Sequence, residues 1–335
     1  METKNKSMVL LSRPIGEVTA EVFGIKEIPV PDIGDGELLV KSEYISVDPY
    51  MRGRMNDYKS YAVPFEINRP IYGNIIGKVV ETKSKRFHNG DFVRGVFNWQ
   101  LYNKVNENDA DRLEADIEPI TAYLGALGMT GLTAYFGLLD IGTPDKGETV
   151  VISGAAGAVG SVAGQIALIL GCRVTGITGS DDKVTFLKDT LHFDDAINYK
   201  AAHNLRKALM KACPQGIDIY FDNVGGEISD SVLYLVNNFS RIIICGQISQ
   251  YNISRMPTGP RMQNIILTRR AMMKGFILRD YKDHFQNALS TMKKWYQEGK
   301  LIHSETVAEG FEKLPDAFLG LFRGDNMGKM IVHTG

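Results

Sequence analysis

The sequence predicts an α/β protein in which a mainly β, barrel-like domain precedes a doubly wound parallel sheet. The first half is rich in short β-type runs and turn residues, with no alternation of strands and helices. From Thr149 onward, strands alternate with amphipathic helices, a pattern typical of a parallel sheet with covered faces. A glycine-rich segment, 154–160, joins the first of these strands directly to a helix.

Length and composition favour two domains of an ordinary soluble protein. The chain has 335 residues, of which 44% are hydrophobic and 23% charged, and its formal net charge is −1. This balance gives no electrostatic reason to expect a nucleic acid or an anionic membrane as a partner. Three widely spaced cysteines, Cys172, Cys213 and Cys245, are typical of a reducing compartment, so we expect a cytoplasmic protein.

The predicted N-terminal domain spans residues 1–125. Its β-type runs are separated by prolines and glycines, and they include 37–46, 75–81 and 91–97. We expect the charged stretch 103–118 to be a solvated loop. The tail, 300–335, contains a strand-like piece, a helix near 314–323 and a final β-type run, and we assign it to the same domain.

The predicted second domain spans residues 126–299 and alternates strands with helices. Six strands at this spacing match two mononucleotide-binding halves. The strand candidates are 150–153, 173–178, 195–198, 217–222, 241–246 and 272–277. The helix candidates are 158–170, 181–190, 203–212, 227–237 and a long helix over 281–299.

The segment 149–160 (TVVISGAAGAVG) predicts a pyrophosphate site. A glycine-rich turn that opens a helix exposes backbone N–H groups, and the helix dipole there favours negative charge. Gly157 lets a phosphate approach the backbone, and Gly160 lets the helix pack closely on the strand. Ala155 stands where the dinucleotide fingerprint usually has its first glycine, so the prediction depends on the strand before and the helix after.

The end of the second strand favours NADP(H) over NAD. NAD sites usually have a carboxylate there, about 20 residues after the glycines, to bind the ribose diol. This strand ends at Gly179 and Ser180, and Asp181 and Asp182 are typical of the cap and first turn of the next helix. Lys183 follows directly and can reach a ribose phosphate as a point charge.

The inventory of metal ligands argues against zinc in the first domain. Such a zinc site needs soft thiolate or imidazole ligands in a tetrahedral set. Before Cys172 the chain has no cysteine and a single histidine, His88, and it contains no CxxC or HExxH motif. We therefore expect no metal, and chemistry that uses zinc as a Lewis acid on a hydroxyl group is disfavoured.

Seven motifs, in order, resemble one family. They are VDPYMRG at 47–53, LGMTGLTAY at 127–135, AAGAVGS at 155–161, GSDDK at 179–183, DNVGG at 222–226, CGQISQYN at 245–252 and GDNMGK at 324–329. The chain resembles the zinc-independent medium-chain dehydrogenase/reductases, in the group of prostaglandin reductases, leukotriene hydroxydehydrogenases and alkenal double-bond reductases. Bacterial curcumin-reductase-like members are the most similar, and the resemblance covers nearly the whole chain.

The resemblance implies a GroES-like domain, a Rossmann domain and a cofactor cleft between them. It also implies NADPH-dependent reduction of the carbon–carbon double bond of α,β-unsaturated aldehydes or ketones, by hydride transfer to the β-carbon without a metal. Members of the family are often dimers joined at the Rossmann domains. We therefore expect a homodimer paired through the edge strand 272–277.

Carried over by position, the resemblance also implies the cofactor-binding residues. Those at the pyrophosphate are Ala156, Gly157, Ala158, Val159, Gly160 and Ser161. Those at the ribose phosphate are Gly179, Lys183 and Tyr199. Those at the nicotinamide half are Asn223, Cys245, Gly246, Ile248, Ser249, Tyr251 and Asn326. Met129 and Thr130 lie at the domain junction near the nicotinamide ring.

Reduction without a metal requires a hydrogen-bond donor for the oxygen that becomes an enolate. Tyr251 is the best candidate, because a phenol with a pKa of about 10 is protonated at neutral pH. Tyr50 is a second candidate, as pocket lining or as an extra donor. The proton for the α-carbon comes from Tyr251 or from water. Met51, Met129 and Met256 are candidates for an adaptable apolar wall.

Two alternatives remain open on the sequence. One is an NADPH quinone reductase of the same superfamily, and the other is a non-catalytic NADPH-binding sensor. The motif around Tyr50 and the loop that carries Tyr251 favour the enone reductase. The physiological substrate is undetermined, because the substrate-side loops 56–65 and 254–263 are less diagnostic.

Overall fold

The computed structural model describes residues 4–114, 116–255 and 257–335. Two compact units divide the chain. Unit 1 comprises Met1–Leu124, Thr306–Asp325 and Met330–Gly335, and unit 2 comprises Gly125–Glu305 and Asn326–Lys329. The domain limits predicted from the sequence, 1–125, 126–299 and 300–335, remain predictions.

The described residues form strands in both units. In chain order they are β1 (Lys4–Leu10), β2 (Phe23–Pro29), β3 (Glu37–Ser46), β4 (Tyr72–Thr82), β5 (Phe92–Asn98), β6 (Tyr102–Asn106), β7 (Asp111–Arg112), β8 (Thr149–Ser153), β9 (Arg173–Thr178), β10 (Asp195–Asn198), β11 (Ile217–Asp222), β12 (Val236–Ile244), β13 (Met272–Gly275), β14 (Glu305–Glu309) and β15 (Lys329–His333).

The α-helices vary from one turn to more than three. In chain order they are α1 (Met51–Arg54), α2 (Met129–Phe136), α3 (Ala158–Ile169), α4 (Asp181–Thr185), α5 (Leu205–Ala212), α6 (Gly226–Leu233), α7 (Gln263–Arg269), α8 (Phe285–Gln297) and α9 (Leu314–Arg323). Within the part of the chain that the structure describes, no helix combines the length and the apolar character needed to cross a membrane.

Unit 1 is built on antiparallel pairing. Its main sheet has the order β14-β15-β3-β4-β5-β7, with β6 also paired to β3, and β1 pairs with β2 in a separate sheet. The core contains the buried side chains of Phe65, Trp99 and Phe318, so the helix α9 near the C-terminus packs into the same core as the N-terminal strands. This agrees with the mainly β domain that the sequence predicts.

The predicted loop over 103–118 is wrong in part, because two short strands lie there. β6 pairs with β3 and β7 pairs with β5. Asn103 and Val105 are buried, whereas Lys104 between them is exposed. The Asn103 amide donates to Ser42 Oγ at 3.2 Å, and this buried hydrogen bond explains how a polar residue occupies an inward position that sequence patterning misses.

Unit 2 contains a parallel sheet with the order β10-β9-β8-β11-β12-β13 among its described residues. This order is that of a doubly wound dinucleotide-binding sheet, whose ligands bind at the carboxyl ends of the central strands. The central strand β8 is buried along its whole length. The predicted fold class is therefore confirmed.

Several element limits in unit 2 differ from the prediction. The helix expected over 227–237 ends at Leu233, and β12 begins at Val236 rather than at Arg241. Phe239 has φ of +65° and the pairing of β11 with β12 shifts register, so this irregular strand lacks the pattern of a regular one. The helix expected from Tyr281 begins as a 3₁₀ segment and becomes α-helical only at Phe285.

Candidate functional site

The turn between β8 and α3 is shaped by glycine backbone geometry. Gly154 has φ of +59°, a conformation that L side chains rarely adopt. A Cβ placed on Gly160 would lie 2.4 Å from the carbonyl oxygen of Gly154, whereas one on Gly157 would lie 3.2 Å from it. The helix start therefore packs directly against the strand end. Gly154, one residue before Ala155, provides the turn conformation, which the sequence analysis missed.

The start of α3 fits a pyrophosphate. The helix begins after Gly157, which has no side chain to accept hydrogen bonds from the first-turn amides. These amides and the helix dipole favour an anion at this end. The Gly328 amide donates to the Ala156 carbonyl at 2.8 Å, and the Asn326 side chain donates to the Gly328 carbonyl at 2.8 Å. Asn326 is therefore brought beside the turn, although it lies far away in sequence.

The carboxyl end of β9 has the arrangement expected of a ribose-phosphate site. Ser180 caps α4 by accepting a hydrogen bond from the Lys183 amide at 3.4 Å. Asp181 Oδ1 accepts from the Asn198 amide group at 2.8 Å, so this carboxylate is engaged within the protein. Lys183 therefore lies in the first turn of α4. The expectation that Asp181 caps this helix is wrong, because Ser180 is the N-cap and both Asp181 and Asp182 lie in the first turn.

Residues after β10 approach the same strand end. A Cβ on Gly179 would lie 3.3 Å from Tyr199 Cε1 and 3.3 Å from Lys200 Cε. The structure therefore brings Gly179 and Tyr199 together. It adds Lys200, which the sequence analysis did not select, because only the parallel pairing of β9 with β10 places their ends side by side.

A buried carboxylate, Asp222, organises the end of β11. Its oxygens accept hydrogen bonds from Ser153 Oγ (2.8 Å), Tyr220 Oη (2.9 Å), Val224 N (3.0 Å), Gly225 N (2.9 Å) and Ser229 Oγ. Burial, and secondarily Asp222, raises the pKa of the Tyr220 phenol well above its ordinary value, so this phenol is a neutral donor. Asp222 was not among the predicted site residues. An acidic residue at the end of an apolar strand is a sequence signal that could have indicated it.

The loop from Cys245 to Tyr251 is pinned to the end of β11. The amides of Cys245 and Gly246 donate to the carbonyl of Asp222 at 2.9 and 3.0 Å. The Ser249 amide and hydroxyl both donate to the Val224 carbonyl, at 3.1 and 2.6 Å. Burial raises the pKa of the Cys245 thiol to about 12, so it is a neutral thiol rather than a nucleophile.

Asn223 joins this loop to the end of β8. Its side-chain nitrogen donates to the Ser153 carbonyl at 2.8 Å, and its backbone amide donates to Ser153 Oγ at 2.9 Å. Its carbonyl accepts from the Ile248 amide at 3.3 Å. Asn223 and the predicted loop residues therefore lie together at the carboxyl edge of the sheet, whereas Asn326 lies beside the glycine turn.

Tyr251 lines a cleft of about 500 Å³ in unit 2. The lining residues are Ile244, Cys245, Gly246, Gln247, Tyr251, Gly275, Phe276, Ile277 and Asp280. The Gln247 amide donates to Tyr251 Oη at 3.3 Å, which leaves the phenolic O–H to donate elsewhere. Burial raises the pKa of Tyr251 above its ordinary 10.0, so the phenol is neutral at physiological pH. This group is a hydrogen-bond donor at the wall of a largely apolar cleft.

Phe276, Ile277 and Asp280 are cleft residues that the sequence analysis missed. They follow β13, which pairs with β12 in parallel, so their position beside Tyr251 is a consequence of the sheet order. The available signal was the apolar pair at the end of the last predicted strand, 272–277, of which the observed β13 covers only Met272–Gly275.

The remaining predicted residues lie elsewhere. Met129 and Thr130 begin α2, where the Thr130 hydroxyl donates to the Gly125 carbonyl at 3.0 Å, and neither residue lines the cleft. Tyr50 belongs to unit 1, where burial raises the pKa of its phenol. The role of Tyr50 as pocket lining or as an extra donor remains a prediction. Met51 is buried in the core of unit 1, and Met256 lies outside the described residues.

Metal ligands do not gather in the described ranges. Across residues 4–114, 116–255 and 257–335, no group of three or more His, Cys, Asp or Glu side chains is arranged to hold a metal ion.

Two family models match the chain. Residues 6–113 match the N-terminal domain of an oxidoreductase family, and residues 158–294 match a domain described as zinc-binding dehydrogenase. The chain is 51% identical over 334 residues to YfmJ of Bacillus subtilis (strain 168), named as an NADP-dependent oxidoreductase, with 99% of this chain and 98% of the relative covered.

Other relatives match over a similar length. The NADPH-dependent curcumin reductase of Escherichia coli (strain K12) is 39% identical, with 99% of this chain and 97% of the relative covered. The NADP(+)-dependent 2-alkenal reductase of Nicotiana tabacum is also 39% identical, with 99% and 98% covered. The crystal structure of CurA from Vibrio vulnificus in complex with NADPH superposes with a TM-score of 0.93 at 42% identity, covering 98% of this chain and 99% of that chain.

Proposed function

The chain belongs to the zinc-independent medium-chain dehydrogenase/reductase family, and on that premise we propose that it reduces the carbon–carbon double bond of α,β-unsaturated aldehydes and ketones with NADPH. The observation that carries the proposal is the neutral phenol of Tyr251 at the wall of a largely apolar cleft. Full-length similarity to enzymes named for curcumin and 2-alkenals, both with NADP dependence, supports the substrate class.

NADP(H), when bound, supplies the hydride that the β-carbon of the substrate accepts. The first-turn amides of α3 would hold its pyrophosphate, and the fit is supported by Gly157, whose lack of a side chain leaves the approach to those amides open. Lys183 and Tyr199 bind the ribose phosphate. Asn223 and the loop that carries Tyr251 bind the nicotinamide half.

Tyr251 stabilises the oxygen that gains charge. Its phenolic O–H is the donor left available by the hydrogen bond from the Gln247 amide, so it donates to the carbonyl oxygen of the substrate. Ile244, Phe276 and Ile277 make the surroundings less polar, and a hydrogen bond to a developing anion is stronger there than in water. The α-carbon receives its proton from Tyr251 or from water.

The proposal includes a homodimer that pairs through β13. This strand is an edge of the parallel sheet, and all four of its residues are exposed. Met273 is 43% exposed and Leu267 on α7 is 74% exposed, so the edge has apolar side chains beside unpaired backbone groups. A second copy related by a twofold axis covers both. Sedimentation of the protein at its dimer mass supports this arrangement, and a monomer at micromolar concentration contradicts it.

The reaction is tested by mixing the protein with NADPH and cinnamaldehyde while following absorbance of the reduced cofactor. We expect one saturated aldehyde formed for each NADPH consumed, identified by mass spectrometry. Menadione in parallel tests the quinone reductase alternative, which is favoured if only the quinone is reduced. Tight NADPH binding without oxidation by enals, enones or quinones favours the non-catalytic sensor.

A further inference from the structure

Two lysines reach the carboxyl end of β9 from different elements. Lys183 lies on α4, and Lys200 follows β10. Gly179 has no side chain and leaves room for Lys200, since a Cβ there would lie 3.3 Å from Lys200 Cε. In dinucleotide-binding sheets this strand end faces the ribose that carries the additional phosphate of NADP. A second cation is therefore positioned where that phosphate binds.

One side chain, Asn198, fixes this arrangement. Its Oδ1 accepts a hydrogen bond from the Lys200 backbone amide at 3.1 Å, and its Nδ2 donates to Asp181 Oδ1 at 2.8 Å. The Tyr199 amide donates to the Thr178 carbonyl at 2.9 Å, which closes the same segment onto β9. Asn198 is half-buried. Because both its Oδ1 and its Nδ2 are hydrogen-bonded, the side-chain amide has one defined orientation.

The hydrogen bond that Asp181 accepts from Asn198 affects the charge near the ribose-phosphate site. A carboxylate beside the end of this strand attracts the ribose diol of NAD and repels the phosphate of NADP. The hydrogen bond from Asn198 holds Asp181 against β10 instead. The same amide therefore positions a cation for the phosphate and restrains an anion that opposes it.

We propose that Lys200 is a second phosphate-binding residue of the NADP(H) site, and that Asn198 is the positioning residue that orders Lys200 and restrains Asp181. The consequence is a preference for NADPH over NADH that depends on Lys200, Asn198 and Asp181 in addition to Lys183 and Tyr199. Because this role concerns cofactor binding alone, it can be tested without the reductase reaction.

The first test measures dissociation constants for NADPH and NADH by cofactor fluorescence, with no substrate present. Lys200→Ala weakens NADPH about fivefold and leaves NADH unchanged, as expected for one exposed cation near a phosphate. Lys200→Arg retains the preference. Lys188→Ala is the matched control, because Lys188 pairs with Asp195 at the opposite end of β10, and it changes neither constant. Equal losses for both cofactors with Lys200→Ala, or no loss, overturn the assignment.

The second test separates positioning from folding. Asn198→Ala lowers the ratio of NADH to NADPH dissociation constants, because it releases Asp181 and loosens Lys200. Adding Asp181→Ala to it restores part of the NADPH affinity. A general loss of structure weakens both cofactors equally and is not rescued by a second substitution. An unchanged ratio in Asn198→Ala, or no recovery in the double variant, overturns the role of Asn198.

Discussion

The glycine turn and the Tyr251 cleft lie at the same edge of one sheet but are built in different ways. The turn Gly154–Gly160 is a continuous segment whose geometry follows from backbone sterics. The cleft combines residues that follow β12 with residues that follow β13, and a carbonyl at the end of β11 holds its loop. A phosphate site made of amides can be predicted from a few consecutive residues, whereas a cleft made of side chains depends on strand order.

Asp222 connects the two regions, so its loss provides the most severe test of the comparison. Its carboxylate binds Ser153, which precedes the turn, while its carbonyl binds the cleft loop. Asp222→Ala leaves several buried donors without an acceptor, and each such donor costs about 1 to 3 kcal/mol. The free energy of unfolding therefore falls by more than about 3 kcal/mol. Urea denaturation measures this change.

Asp218→Ala is the matched control for Asp222→Ala on the same strand. Asp218 accepts from Thr149 N and from the Asn237 side chain at the other end of β11. Its loss affects fewer groups and neither region of the site, so we expect a smaller change in stability and unaltered NADPH affinity. Equal effects of the two substitutions contradict a special role for Asp222.

Tyr251→Phe changes one side chain of the cleft and leaves the glycine turn unchanged. Removing the phenolic O–H removes a donor to the developing oxyanion, and we expect turnover to fall about 100-fold. We expect NADPH affinity to fall less than turnover, because the glycine turn is intact. Stopped-flow single-turnover measurements with cinnamaldehyde isolate the chemical step. Tyr234→Phe, at an exposed tyrosine of the same unit, serves as the control with unchanged turnover.

Gly160→Ala changes the glycine turn and leaves the side chains of the cleft unchanged. The new Cβ meets the Gly154 carbonyl, so we expect a loss of about 2 kcal/mol in the free energy of unfolding, together with weak NADPH binding. Gly157→Ala has more space and loses about 1 kcal/mol or less. Its Cβ nevertheless occupies the phosphate approach, so NADPH binding weakens while thermal stability changes little. Identical melting temperatures for the two variants contradict the geometry of the turn.

The pH dependence of turnover gives the smallest expected effect. The protonated phenol is the donor, and burial raises the pKa of Tyr251 above its ordinary 10.0. A phenol with a raised pKa keeps its proton to higher pH, so the decline in turnover at saturating NADPH is centred above pH 10. A decline centred at or below pH 10 indicates a phenol in contact with bulk water and contradicts the cleft geometry.

The sequence predicted the larger elements of unit 2 because each has its own local pattern. Four of the strands expected there, including β9 and β11, have limits within one residue of the prediction. β12 was misplaced because its polar start at 236–240 and the positive φ of Phe239 lack a regular alternation. β6 was missed for a related reason, since the buried Asn103 replaces an apolar residue, and β7 has only two residues, both exposed.

The position of the proposed phosphate site follows from the sequence alone, because backbone amides and glycine sterics depend on neighbouring residues. Only the tertiary structure decided that Phe276 and Asp280 lie beside Tyr251, and that Lys200 lies beside Gly179. Those pairs are separated by 20 or more residues and meet only when strands take their places in the sheet. The order of strands is a property of the whole packed core, so no local pattern specifies it.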